Sequence, residues 1–192
     1  MLYRFRSDEA LMQAYQAGNT KAFAELYQRH KNGLFGFLSR MAGAGRPAAT
    51  VEDLAQDTWM SIIKQTAGYE PRAKFRTYLY TLARRKFIDY LRRTTHWIET
   101  GDEAMDAQPY MASDSHSPAA ALEVQRLLQA IAALPQEQRE AFLLKEEGFT
   151  LNQIATITQV ETETAKSRLR YARQRLRQTL HADYAPTTGD NP

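Results

Sequence analysis

Between Thr94 and Pro118 the chain carries five acids, Glu99, Asp102, Glu103, Asp106 and Asp114, and no lysine or arginine. Gly101, Pro109, Pro118 and several serines lie in the same stretch, and the helical spacing of apolar residues on either side stops there. Such a composition reads as a linker. It divides the chain into a first lobe (1–93), an acidic connector (94–118) and a second lobe (119–184), followed by a polar 185–192 segment that reads as a disordered tail. Each lobe then has to bury its own core.

Both lobes read as helical. In the first, Phe23, Leu26, Tyr27, Leu34, Leu38 and Met41 recur at helical spacing, with Asn19 or Thr20 as the cap. After the break at residues 43–47, Thr50 is expected to open a second helix, with Asp53 placed for a capping interaction and Val51, Leu54, Ala55, Thr58 and Ile62 facing inward. A loop around Gly68 and Pro71 leads to a long helix from about Phe75 to Arg93. The second lobe offers an apolar stripe of Leu122, Leu127, Leu128, Ile131 and Leu134. Pro135 suits the first turn of the next helix, which Gly148 ends. No stretch alternates as a strand would, so the expected fold is all-α: two small helical domains, the second containing a helix-turn-helix.

Several function classes drop out. With no cysteine there is no disulfide and no thiol chemistry, which suits a reducing cytoplasm. His30, His96, His116 and His181 are scattered without metal-ligand spacing, and no glycine-rich phosphate loop or nucleophile elbow is present. No metal, no cofactor and no enzymatic activity are therefore expected. No apolar run approaches membrane-spanning length, so no membrane insertion is expected either.

The net charge of +3 is mild, but its distribution is not. Thr150 and Gln153 form a Thr-x-x-Gln capping box on a short helix, the turn Thr158-Gln159-Val160 is expected to bury Val160, and a basic helix follows from about Thr162. This is the helix-turn-helix plan. On the last helix Ala165, Leu169, Ala172 and Leu176 stack on the packed side. Glu163, Lys166, Ser167 and Arg170 are placed for base or backbone contact in a major groove, with Tyr171 beside them and Arg173 and Arg177 suited to phosphates. Such a module serves a repressor, an activator or a sigma factor equally well, and a stand-alone dimeric regulator remains the alternative. The first lobe adds a second basic run, in which Lys74, Arg76, Arg84, Arg85 and Arg92 are interleaved with Tyr69, Phe75, Tyr78 and Tyr90 and with the single acid Asp89. Cations that track phosphates beside rings that stack on bases suit DNA whose bases have unstacked. The helix before it shows a different character, with Asp53, Gln56 and Asp57 on its exposed side and Met60 following.

These segments resemble the sigma-70 family, in its compact extracytoplasmic-function (ECF) group. Asp53-Leu54-Ala55-Gln56-Asp57-Thr58-Trp59 looks like the segment that docks on the clamp helices of RNA polymerase. Phe75-Arg76-Thr77-Tyr78-Leu79-Tyr80 through Arg92-Arg93 resembles the promoter-melting, −10-reading helix. Leu134-Pro135-x-x-x-Arg139-Glu140-Ala141-Phe142 and the helix-turn-helix through Lys166-Ser167-Arg168-Leu169 resemble the −35-reading domain. Arg85 stands where many relatives have Asn, and Glu161-Thr162-Glu163 replaces a more usual Pro-x-Gly. The resemblance implies core RNA polymerase and promoter DNA as partners, an anti-sigma factor as regulator, and a flipped −10 base held in the 69–75 loop. It also implies that the acidic connector threads through the polymerase toward the RNA path.

Overall fold

The computed structural model describes residues 3, 5–43, 48–70, 73–100 and 118–182, and within these it is entirely helical. The first lobe contains α1 (Asp8–Gln16), α2 (Thr20–Ala42), α3 (Ala48–Lys64), a single 3-10 turn (Thr66–Gly68) and α4 (Phe75–Thr100). The second contains α5 (Pro118–Ala132), α6 (Gln136–Glu146), α7 (Leu151–Thr158) and α8 (Thr162–Ala182). Residues 101–117 of the acidic connector and the tail from 183 lie outside the described residues.

Several boundaries differ from the sequence reading. The helix α1 was not anticipated; its core contribution is only Leu11 and Met12, and Ser7 caps it by accepting from the Ala10 amide. The helix α3 begins at Ala48, so Thr50 lies inside its first turn and does not cap it. The helix α4 runs through Thr100, past Arg93, so residues 94–100 of the expected connector are helical. Ile131 and Leu134 are buried, but Leu122, Leu127 and Leu128 are exposed, so three of the five residues of the expected apolar stripe face outward. Val160 is half-buried and Tyr27 is exposed.

The helix α1 packs on α2, α4 and the 3-10 turn. An ionic latch fixes it, in which Asp8 accepts from Arg29 Nη1 at 3.0 Å and lies 2.7 Å from His30 Nε2. Burial works against the Asp8 carboxylate, but His30 and Arg29 together hold its pKa below the ordinary value near 3.8. A depressed carboxylate pKa contributes stability that is present above the unfolded-state value and is lost as pH falls through the folded one. Asp8→Asn is therefore expected to lower stability at neutral pH by about 1–3 kcal/mol. It should also flatten the acid limb below roughly pH 4, where the parent carboxylate itself takes up a proton. Urea unfolding of both proteins from pH 3 to pH 7 checks this, and parallel curves would exclude the latch.

The two lobes touch through a polar seam. From α6, Glu140 accepts from Arg84 Nε of α4 at 2.6 Å, with side-chain exposures of 2% and 17%. Just after α6, Glu147 accepts from Arg40 at 2.8 Å, Arg76 at 2.9 Å and the Tyr80 hydroxyl at 2.9 Å. Arg139 returns the contact by donating to the Met41 carbonyl at 3.0 Å. The Arg76 guanidinium lies 4.5 Å from the centre of the Phe149 ring, which meets Tyr80 edge-on. Gly33 in mid-α2 makes room for this junction: a Cβ there would lie 3.1 Å from the Tyr80 hydroxyl and 3.5 Å from the Glu147 carboxylate. A helix-interior glycine costs about 1 kcal/mol relative to alanine, which the close approach offsets.

Candidate nucleic-acid interface

The helix-turn-helix is built as its residues dictate. Gly148 at φ +85° turns the chain out of α6. The Thr150–Gln153 capping box is fully formed at the start of α7, and Gln159 closes the helix in the left-handed region at φ 58°. Ile154 and Ile157 of α7 pack with Ala165, Leu169, Ala172 and Leu176 of α8 in one buried cluster. Lys166, Arg170, Arg173 and Arg177 are all exposed and fall within a 60° sector of α8 at 100° per residue. At 1.5 Å per residue this stripe is about 16 Å long, the span of several consecutive phosphates. Glu163 pairs with Lys166 at 3.0 Å, both well exposed, so that pair opens to another partner at little cost. Ser167 donates to the Thr164 carbonyl, and Arg170 lies over the Tyr171 ring and bonds its hydroxyl at 3.2 Å. Arg168 is not on this stripe; it pairs with Glu137 of α6 and braces α8.

The second basic run splits between two faces of α4. Arg85, Asp89 and Arg92 are exposed and share one sector, with Lys74 exposed just before the helix. Arg76 and Arg84 point the other way, into the seam, where Glu147 and Glu140 hold them. Phe75 is fully buried in the core, so its ring is not presented for stacking. Tyr69 is buried too, but at the wall of a cleft of about 350 Å³ that Gln65, Glu70, Tyr78, Arg85 and Thr156 also line. Its hydroxyl is buried without a hydrogen-bond partner among the described residues, and burial, then Glu9, push its pKa up to about 12. Tyr69 therefore stays a neutral donor at every physiological pH.

Asp53, Gln56, Asp57 and Met60 are all exposed on α3. Gln56 and Met60 border an apolar groove between α2 and α3, together with Phe23, Tyr27, Trp59 and Ile63. Trp59 forms its floor, packed edge-on against Phe23 and Tyr27. The sequence reading assigned Tyr27 to the core, took Trp59 only as the end of the docking segment and gave Ile63 no role; what it lacked was the α2–α3 packing that brings them side by side. It likewise missed Glu140 and Glu147, whose partners lie 56 and 71 residues away. Among the described residues no group of three or more His, Asp or Glu could hold a metal ion, and no helix is long and apolar enough to cross a membrane.

Comparison with known proteins agrees with this arrangement. Residues 26–96 match Sigma-70 region 2 and residues 124–176 match Sigma-70, region 4. The chain is 31% identical to the RNA polymerase sigma factor CarQ of Myxococcus xanthus over 88% of its length and 95% of that protein. It is 34% identical to the ECF RNA polymerase sigma factor RpoE of Cereibacter sphaeroides over 89% of its length and 93% of that protein. Among solved structures, the sigma factor RpoE of Bartonella quintana, bound to the anti-sigma factor NepR, superposes with a TM-score of 0.73 at 25% identity, covering 85% of this chain and 99% of that one. The chain belongs to the ECF sigma factors of the sigma-70 family, the RNA polymerase subunits that select promoters and open them for transcription.

Proposed function

We propose that three surfaces divide the work of initiation. The α2–α3 groove, bordered by Gln56 and Met60, docks on core RNA polymerase together with the exposed Asp53 and Asp57 of α3. The exposed face of α4, with Lys74, Arg85, Asp89 and Arg92, holds the −10 strand, and the cleft beside Tyr69 and Tyr78 takes a flipped base. The outer stripe of α8 reads the −35 duplex. The observation that carries this reading is the pairing of an uncovered cationic stripe on a helix-turn-helix with a separate cationic face beside an aromatic cleft. One surface suits duplex DNA and the other suits unstacked DNA. Catalytic chemistry of the chain's own is not part of this reading, and the cytoplasm, where RNA polymerase works, is the expected location. An anti-sigma factor is the expected regulator, by likeness to the RpoE–NepR complex.

Base capture favours melting because stacking and hydrogen bonds in the cleft offset the few kcal/mol of unstacking. The test is to mix the chain with bacterial core polymerase and follow opening of promoter DNA with 2-aminopurine in the −10 element. A stable complex with opening only when both are present is expected. Failure to bind core, with tight binding of the chain alone to a palindromic duplex, would replace this reading with a stand-alone dimeric regulator.

The α8 stripe makes a separate prediction. Arg173→Ala and Arg177→Ala should each weaken −35 duplex binding about equally on all sequences and reduce the salt slope by about 1. Arg170→Ala should cost about 1–3 kcal/mol and relax the preference at one base pair. Salt titrations on matched and mismatched duplexes distinguish the two, and a unit slope change without loss of preference in Arg170→Ala would move that residue to the phosphates.

A further inference from the structure

We infer that α1 is the scaffold of the −10 loop and that Gln16 is a positioning residue for base capture. This deepens the reading of the cleft given above and rests on it. The loop between α3 and α4 is gripped at both ends by α1. At its entry, Gln16 Nε2 donates to the Thr66 carbonyl at 2.8 Å and to the Tyr69 carbonyl at 2.9 Å, bracketing the 3-10 turn. At its exit, Glu9 Oε1 accepts from the Phe75 amide at 2.9 Å. That amide belongs to the first residue of α4, where helical N–H groups lack intrahelical acceptors and the helix dipole favours a carboxylate.

The chemistry of the grip is specific. Both partners of Gln16 are carbonyls, so only the amide nitrogen can face them, and both of its hydrogens are used. A glutamate there would have no donor and would direct its charge at two carbonyl oxygens. The helix that carries the grip is itself held firmly: Leu11 and Met12 are fully buried, and the Asp8 latch ties it to Arg29 and His30 of α2. The clamp therefore refers the loop to the body of the lobe. Tyr69, held by its own carbonyl, and Glu70 just after it line the cleft with Tyr78 of α4. A site that has to accept a flipped base holds its walls to about 0.5 Å, and a loop anchored at both ends meets that need. The match to Sigma-70 region 2 starts at residue 26, so α1 lies entirely outside it.

Gln16 is itself exposed, so its loss is expected to disturb the loop far more than the fold. The experiment compares holoenzymes carrying the parent chain, Gln16→Met and Gln16→Glu, both near-isosteric and both without the donors. Binding of a single-stranded −10 oligonucleotide and the rate of 2-aminopurine unstacking are each expected to fall about tenfold. Core affinity, −35 duplex affinity and Tm should stay at parent values. A merely structural role would move Tm and all three binding constants together, and that result overturns the proposal, as does parent-like opening by both variants. Tyr78→Ala and Arg85→Ala, measured alongside, separate the two levels of the argument. If they abolish opening while the Gln16 variants do not, the clamp alone falls. If they too leave opening untouched, the cleft is not the −10 site and both readings fall.

Discussion

Glu147→Ala is expected to part the two lobes of the free chain. Glu147 is the hub of the seam, accepting from Arg40, Arg76 and the Tyr80 hydroxyl at once, and its side chain is only 14% exposed. Without it two guanidiniums and a hydroxyl are left facing each other. Removing one partner of a fully buried ion pair costs about 3–5 kcal/mol. The two arginines are about a third exposed, so water recovers part of that, and a loss of about 2 kcal/mol in lobe docking is the expected size. Among the anchors that remain, Glu140 with Arg84 is poorly suited to compensate. Burial outweighs the attraction of Arg84 and Arg168 and raises the pKa of Glu140, so its charged form is held against its own desolvation. Small-angle scattering should show a larger radius of gyration for Glu147→Ala, and amide exchange should rise around Tyr80 and Phe149; an unchanged radius and unchanged exchange would show that the apolar contacts hold the lobes without the hub.

The same geometry bears on promoter reading. The −35 and −10 elements are roughly 25 base pairs apart by their names, about 85 Å at 3.4 Å per base pair. With Glu140 in contact with Arg84, the second lobe lies against the helix proposed to hold the −10 strand. On the proposed placement of the two DNA surfaces, the closed arrangement is thus not the one expected to contact both elements. The described residues show a chain folded upon itself, with two of its eight expected −10 residues engaged by its own carboxylates.

How much of this was legible in the sequence depends on the range of the interaction. The helix-turn-helix is local: its capping box spans Thr150 to Gln153, its packed face repeats every three or four residues, and both appear in the structure as the letters imply. The long helices were legible for the same reason. The helix α1 was not, because nine residues with two core positions give no sustained period, and its fixing contacts run to Arg29, His30 and Phe75. The stripe on α5 was legible as amphipathic, yet amphipathicity does not say which part of a stripe meets the core. Charge counting found the basic run on α4 but treated it as one surface. The acids that claim Arg76 and Arg84 come from the other lobe, and no local rule finds them.

The double substitution Asp53→Ala with Gln56→Ala should weaken the complex with core RNA polymerase by about 2 kcal/mol, roughly thirtyfold. The argument starts from the groove. Tyr27, Met60 and Ile63 leave 39%, 40% and 38% of their surface uncovered around the Trp59 floor, a concentration of apolar area that marks an interaction site. On the proposed docking, apolar contact in the groove is expected to supply most of the binding, while Glu52 and Gln56 on its border and the exposed Asp53 and Asp57 of the same helix set orientation and attract a basic partner. Losing Asp53 should slow association most at low salt, whereas losing Gln56, which borders the groove directly, should speed dissociation. Both side chains are exposed, so Tm is expected to stay within about 2 °C, consistent with a surface change of under about 0.5 kcal/mol. Duplex −35 binding by the isolated chain should also be unchanged, because the stripe on α8 shares no residue with the groove. Surface-capture kinetics against core polymerase at two salt concentrations reads every one of these effects. Parent-like association and dissociation by the double variant would remove α3 as the docking helix and shift the search to the exposed leucines of α5.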